Sequence, residues 1–197
     1  MPRPDPEGAC DGRRHIGRSR AAIPGLPDAR LEALISEPAR ATTFVKLSID
    51  MGHGIRYKDA AAALEPLIQA VHSATDITGF GLLGHALEMA TASQVSLRID
   101  SGNIELIQGA MECVQNGYIS GGLKKNREFV GNCARFGAGI STELQNLLFD
   151  PQTSGGLLIA LQPEFAEKAC SLLRSAECPA ARVGEVIDRT SLPIDVV

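Results

Sequence analysis

The residues best suited to chemistry lie in the stretch ATDITGFGLLGH, residues 74–85. Gly79, Gly81 and Gly84 follow the carboxylate of Asp76, and each glycine costs a helix roughly 1 kcal/mol relative to alanine. The carboxylate can cap the helix, or it can bind Mg²⁺, which prefers one or two carboxylates together with substrate phosphates. The cap is the commoner role of an isolated aspartate, whereas glycines that let a bulky anion approach the backbone favour a metal ligand.

Two further stretches contain residue types that suit an anion. DPQTSGGLL, residues 150–158, can form a concave nest of N–H groups or a plain turn between a helix and a strand, and its spacing favours the turn. In ISGGLKKNREF, residues 119–129, two glycines precede a basic run. Such a run can neutralise phosphate, although a solvated loop is the commoner explanation.

The remaining candidate residues are explained by ordinary structural roles. His85 falls on the polar side of its predicted helix, without a second ligand one turn away, so we expect it to be solvated. His53 stands between glycines at a predicted turn, and Asp50 follows a predicted strand, where it is a possible second carboxylate near Asp76. Four cysteines lie on apolar helical faces or near turns, where they act as small hydrophobes: Cys113, Cys133, Cys170 and Cys178.

Alternating strands and helices must position these residues. Residues 1–40 hold six of the eleven prolines without a regular period, which predicts a poorly ordered arm with a short helix at 28–36. From residue 42 the pattern predicts strands at 42–49, 95–100, 156–162, 181–188 and 194–197, and a strand or turn at 72–77. It predicts helices at 58–72, 80–93, 104–117, 141–150 and 163–176. An irregular span is predicted at 118–139. A mixed sheet covered by helices is therefore expected.

Composition narrows the class of protein. Hydrophobic residues make up 44% of the 197 residues and charged residues 21%, as in a globular protein with a substantial core. A net charge of -4 and 4% aromatic residues argue against nucleic acid as a partner. The five cysteines form no CxxC pair, and no apolar run is long enough for a membrane span, so a reduced, cytoplasmic location is expected.

The order of the motifs carries a family resemblance. ATDITGFGLLGHALEMA, then SGGLKKNREF, then LLFDPQTSGGLLIA, resembles the C-terminal part of selenophosphate synthetase (selenide, water dikinase) over about residues 64–197. The wider superfamily includes the aminoimidazole ribonucleotide synthetases, thiamine-phosphate kinases and a hydrogenase maturation protein. The resemblance implies an α+β fold, a mixed β-sheet flanked by helices, with an unrelated or poorly ordered arm at 1–40 and a synthetase-like domain at 41–197.

The same resemblance implies a reaction and its cofactors. In the family, ATP, selenide and water give selenophosphate, AMP and phosphate, and the aspartate of the TD-hydrophobic-TGFG motif, here Asp76, helps to bind the Mg²⁺ that holds the ATP phosphates. The family's catalytic Cys and Lys loop is not found; Cys10 lacks the neighbouring Lys and is not assigned that role. The resemblance therefore implies a truncated form that needs a separate N-terminal domain or second chain, and the alternative is a non-catalytic relic or dimerisation module.

Overall fold

The computed structural model describes residues 42–47, 57–153 and 155–197. The predicted arm and its helix at 28–36 lie outside this part of the chain, as do Cys10, Asp50, His53 and Ser154. The strands are β1 (Thr42–Leu47), β2 (Val71–Asp76), β3 (Ser96–Ile99), β4 (Ala134–Phe136), β5 (Leu157–Leu161), β6 (Ala180–Ile187) and β7 (Ile194–Val196). The helices are α1 (Tyr57–Leu64), α2 (Gly81–Ala92), α3 (Ala110–Gln115), α4 (Gly121–Val130), α5 (Thr142–Phe149) and α6 (Ala166–Ser175).

The strands form one mixed sheet in the order β2-β5-β1-β6-β3-β7-β4. The pairs of β5 with β1 and β2, and of β6 with β1 and β3, are antiparallel. Strand β7 lies parallel to both β3 and β4. The predicted α+β class with a mixed sheet is confirmed, and β2 lies at one edge of the sheet as the structure describes it.

The sheet has a hydrophobic core on each face, and β5 contributes to both. Leu157, Ile159 and Leu161 pack into the core formed with α1 and α6, whereas Leu158 and Ala160 pack into the core formed with α2, α4 and α5. Since side chains alternate between the faces of a strand, a strand covered on both faces must be apolar throughout. This requirement explains the uninterrupted run LLIAL.

Two predicted helices are shorter than their patterns indicate. The helix predicted at 58–72 ends at Leu64 and continues as a 3₁₀ helix, Glu65–Ala70, with Pro66 near its start. The proline ring clashes with the carbonyl one turn earlier and has no N–H to donate, so the α-helical ladder stops there. The helix predicted at 104–117 is α-helical only from Ala110 to Gln115, after Gly109 with a φ of 81°.

The irregular span predicted at 118–139 was wrong. It contains α4, a short 3₁₀ turn at Gly131–Cys133, and strand β4. The Ser120 side chain accepts a hydrogen bond from the Leu123 N–H and caps α4, so Gly121 and Gly122 begin a helix rather than prevent one. None of the helices in the described part of the chain has the length and apolar character that a membrane span requires.

Candidate functional site

Asp76 is the last residue of β2 and lies opposite Leu157 on β5. Its side chain is half-buried, and among the described residues no hydrogen bond or ion pair of its carboxylate is found. Helix α2 has Phe80 at its N-cap position, with no side-chain cap. The interpretation of Asp76 as a helix cap is therefore wrong, and the carboxylate oxygens keep their capacity to accept.

The turn that follows Asp76 is bonded through its main chain to the turn that precedes β5. The Ile77 N–H donates to the Gly156 carbonyl (2.9 Å), and the Ile77 carbonyl accepts from the Gly155 N–H (3.1 Å). The Gln152 N–H donates to the Thr78 carbonyl (3.0 Å). The motifs TDITGFG and DPQTSGG, more than seventy residues apart in the sequence, thus form one structural unit.

These bonds decide between the two interpretations of the DPQTSGG segment. The N–H groups of Gln152 and Gly155 are already donated to main-chain carbonyls. A Cβ on Gly155 would collide with the Gln152 side chain and lie 2.6 Å from the Ile77 carbonyl oxygen. The segment therefore serves as a tightly packed turn, as its spacing favoured, and these two N–H groups are not available to an anion.

Asn126 joins both turns to α4. Its side chain is only 5% exposed, and its Nδ2 donates to the carbonyls of Gly79 and Phe149, each at 2.9 Å. Sequence reasoning missed this residue because the span was expected to be irregular. The signal was present: Leu123, Asn126 and Val130 recur at helical spacing, and all three are buried.

The start of α4 makes a second connection to the same turn. The Ser120 hydroxyl donates to the Asp150 carboxylate (2.9 Å) while it also accepts from the Leu123 N–H (3.2 Å). Gly122 faces Pro151 so closely that a Cβ would lie 2.5 Å from the proline Cγ. The three sequence motifs therefore meet at one place, next to Asp76.

The space around the three glycines of the first motif differs, and so does the need for glycine at each position. Gly81 has a φ of +68°, and a Cβ there would lie 2.8 Å from the carbonyl carbon and oxygen of Phe149. A Cβ on Gly84 would lie 2.7 Å from the Cβ of Phe80. Gly79 has open space around it. Close packing thus requires glycine at 81 and 84, while nothing in the structure requires it at 79.

The prediction that His85 is solvated was wrong. The residue is 6% exposed, its Nε2 lies 3.1 Å from the Thr78 hydroxyl, and its Nδ1 lies 3.3 Å from a Glu88 carboxylate oxygen. The Phe80 ring also packs near the imidazole, with centroids 5.5 Å apart. Helix α2 is buried around most of its circumference, so polarity alone did not identify a solvent-facing side.

The basic run near the site has two roles. Lys124 and Lys125 are exposed on α4, in agreement with a solvated charge run. Arg127 instead lies over the Phe149 ring, 5.2 Å from its centroid, and donates to the Gln145 side chain (3.2 Å). The arginine therefore packs α4 against α5 by a cation–π contact and a hydrogen bond.

The donor set around Asp76 can be compared with the needs of a metal ion. In the described part of the chain, no three His, Cys, Asp or Glu residues converge in a way that could hold one. A half-buried carboxylate with free oxygens suits Mg²⁺ as one ligand among several. The residues present thus fit a Mg²⁺ that also binds substrate phosphates or groups from another domain, and they do not form a complete metal site.

Most of the chain matches a known protein family. The family model for the AIR synthase related protein, C-terminal domain, matches residues 53–196. The chain belongs to this family. A solved structure of PurLQS from Thermotoga maritima shows the same fold, with a TM-score of 0.50 and 12% sequence identity. The match includes 79% of this chain and 23% of the PurLQS chain.

The curated relatives of this AIR synthase-related domain carry a more specific name. It is 43% identical to a selenide, water dikinase of Clostridioides difficile over 128 residues, which is 64% of this chain and 37% of the relative. It is 45% identical to a selenide, water dikinase of Pelobacter propionicus over 133 residues, 66% of this chain and 37% of that relative. The resemblance to the C-terminal part of selenophosphate synthetase is confirmed, and the chain spans a little over a third of these relatives.

Proposed function

We propose that this chain provides the C-terminal domain of a selenophosphate synthetase, which converts ATP, selenide and water to selenophosphate, AMP and phosphate. The observation that carries the proposal is identity of 43–45% with two selenide, water dikinases over 128 and 133 residues. The family model matches residues 53–196, which contain all three motifs. The contacts among these motifs support it, because they hold the turn that directly follows Asp76. Pairing of Thr42–Leu47 with β5 and β6 supports a domain that starts near residue 41.

Within this function we assign Asp76 to Mg²⁺ and, through the cation, to the ATP phosphates. A bound Mg²⁺ neutralises triphosphate charge and fixes its geometry. The chain's own contribution is a carboxylate at the end of a strand, held by the main-chain bonds of Ile77 and Thr78. A single carboxylate gives only part of a Mg²⁺ site, and no described residue completes it, so we propose that substrate phosphates and another domain or a second chain supply further ligands.

The proposal extends to the cellular location of the protein and to its partners. Among the described residues, Cys113, Cys170 and Cys178 are free cysteines, and Cys170 and Cys178 are buried. Free thiols, some of them buried, are typical of a reducing compartment, so we place the protein in the cytoplasm. Its small-molecule partners are ATP and selenide, and its macromolecular partner is the domain that completes the site.

The first test uses the purified chain with Mg²⁺, ATP and selenide, and follows AMP and selenophosphate. A second test replaces the matched part of the C. difficile relative with residues 53–196 of this chain and repeats the assay. Turnover by the chimaera, but not by the isolated chain, is the expected pattern. A folded chimaera without AMP formation would contradict the proposal and favour a non-catalytic module.

Asp76 is tested in the same chimaera. Asp76→Asn should lower turnover and raise the Mg²⁺ concentration needed for half-maximal activity, since it removes a charged ligand. The matched control is Asp188→Asn, because Asp188 is exposed and follows the end of β6. Equal Mg²⁺ dependence of the two variants would show that Asp76 binds no catalytic cation.

A further inference from the structure

Phe80 and Phe129 form an exposed aromatic pair beside the turn that follows β2. Phe80 precedes α2 at its N-cap position, and Phe129 lies in the last turn of α4. Their rings stack, with centroids 5.3 Å apart and an angle of 18° between the ring planes. Even so, Phe80 is 42% exposed and Phe129 is 41% exposed. The pair therefore buries the ring faces that touch each other and leaves apolar surface of both rings in contact with water.

The pair lies close to Asp76. Phe80 follows Asp76 by four residues, which limits the distance between their Cα atoms to about 14 Å. Asn126 on α4 donates to the carbonyl of Gly79, and Phe129 follows Asn126 at helical spacing, on the same side of α4. Both rings are thus held beside the turn that joins Asp76 to α2.

Gly79, which lies between Asp76 and the pair, has open surroundings. It is exposed, a Cβ there would meet nothing within 4 Å, and its φ is not in the left-handed region. Packing explains the other two glycines of this motif, whereas nothing in the described part of the chain explains this one. A glycine on a surface lets another backbone approach closely. We call Gly79, Phe80 and Phe129 the aromatic surface.

The position of the aromatic surface distinguishes it from the scattered apolar side chains that are ordinary on any protein. The described residues do not complete a cation site at Asp76, so the proposed function needs a second domain there. A stable interface covers roughly 800 Å² on each partner, which corresponds to a disc about 30 Å across. A domain centred near Asp76 therefore also covers the surface within about 14 Å of it.

The comparisons and the local charge also favour a protein domain as the occupant. The chain spans 37% of the C. difficile relative, so most of that relative lies outside the match. Aromatic side chains are enriched in the buried centres of protein interfaces. Lys125, one turn before Phe129 on α4, is exposed and adds positive charge beside the rings. The aromatic surface thus suits a domain that presents apolar side chains next to carboxylates, as a domain with Mg²⁺ ligands does.

We propose that the aromatic surface is the docking site for the domain that completes the Asp76 site, and that both rings pack against apolar side chains of that domain. The inference rests on the proposed function, because the partner is the domain required there. Gly79 lets the backbone of this partner come close. Docking encloses Asp76 between the two domains, and the loss of water strengthens the attraction between its carboxylate and a cation.

The test is hydroxyl-radical footprinting, read by mass spectrometry, of the isolated full chain and of the C. difficile chimaera that carries residues 53–196. Oxidation of Phe80 and Phe129 should be at least about threefold slower in the chimaera, because an interface core excludes water. Phe165, a partly exposed residue packed against the core on the opposite face of the sheet, is the matched control and should react equally in both. Equal rates for the pair in the two proteins would overturn the proposal.

Two substitutions test the surface itself. Gly79→Lys should leave unfolding of the isolated chain unchanged, because its Cβ enters open space, yet it should abolish the protection of Phe129 in the chimaera. Phe129→Lys should abolish the protection of Phe80, measured against the same variant of the isolated chain. Ile107→Lys is the control, because Ile107 is 84% exposed on the loop before α3, and it should keep the protection. Full protection in both surface variants would contradict the proposed docking site.

The outcomes separate this inference from the proposed function. Turnover by the chimaera without protection of the pair would overturn the docking site and leave the function intact. Protection without turnover would support the docking site and contradict the proposed enzyme. Slow oxidation of the pair already in the isolated chain would show that its own residues or a second copy cover the rings, and would overturn the inference. Dependence of that slow rate on protein concentration would identify the second copy.

Discussion

Asn126 links three motifs through one side chain, so its removal tests whether their assembly stabilises the fold. Asn126→Ala deletes the donor to two carbonyls, those of Phe149 and Gly79. Phe149 is 2% exposed, so its carbonyl oxygen would lose the Asn126 donor at a position that water does not reach. Gly79 is exposed, and water can replace the donor there.

The expected loss of stability follows from these differences. Removal of two such hydrogen bonds costs about 1 to 3 kcal/mol, with most of it at the Phe149 carbonyl. The void left by the buried amide adds about 1 kcal/mol. Alanine is the better helix former, which offsets about 0.5 kcal/mol. The free energy of unfolding should therefore fall by about 1.5 to 3.5 kcal/mol.

The assay is urea unfolding of the full chain followed by circular dichroism at neutral pH. Asn116→Ala is the matched control, because the Asn116 side chain donates to a helix carbonyl at an exposed position. The control should lose about 0.5 kcal/mol or less. Equal losses in the two variants would refute the argument that Asn126 holds the site together. Asn126→Asp should lose more than Asn126→Ala, since it puts carboxylate oxygens against carbonyl oxygens.

Three other predictions concern separate parts of the domain. Gly81→Ala should lower the free energy of unfolding by about 2 kcal/mol or more, because its φ is +68° and the Cβ would meet backbone, whereas Gly79→Ala should cost about 0.5 kcal/mol or less. Hydrogen bonds from Arg135 hold the pKa of Asp195 below its ordinary value of 3.8, so this pair stabilises the fold above that pH and the stabilisation is lost as acid protonates Asp195. Unfolding measured across pH should therefore show a weaker acid dependence in Arg135→Gln, and an unchanged dependence would contradict the assignment. Burial raises the pKa of the Cys170 thiol, so iodoacetamide should modify it only as the chain unfolds, and rapid modification of the native protein, seen by mass spectrometry, would show that the thiol is accessible.

The sequence predicts the elements of this fold better than their ends. Period-two and apolar patterns placed β5 and β6 correctly, because β5 is buried on both faces and must be apolar. Helix α1 ends earlier than its pattern indicates, since the 3₁₀ helix that contains Pro66 buries Leu67 and Ala70, which belong to the same apolar pattern. Element type is thus readable from side chains, whereas an end depends on single residues that alter the backbone.

The candidate site is predictable in part for a similar reason. Asp76 is conspicuous because it is a carboxylate among glycines, and the family resemblance gives it a role. His85 was misjudged because a helix buried on nearly all sides gives little amphipathic signal. The bonds of Ile77 and Thr78 involve main-chain atoms that every residue has. No pattern of residue types could therefore predict which turns they join.

The contacts explain why the motifs identify the family together better than any one does alone. Gly81 of the first motif leaves room for the Phe149 carbonyl that precedes the third motif, and Gly122 of the second leaves room for Pro151 of the third. Each turn thus lacks a side chain where another turn lies. A larger side chain in one motif must be accommodated by its neighbour, because main-chain hydrogen bonds fix the positions of the turns. This mutual constraint holds the turn that follows β2, and with it the end of the strand at which Asp76 lies, through main-chain bonds that depend on no side chain.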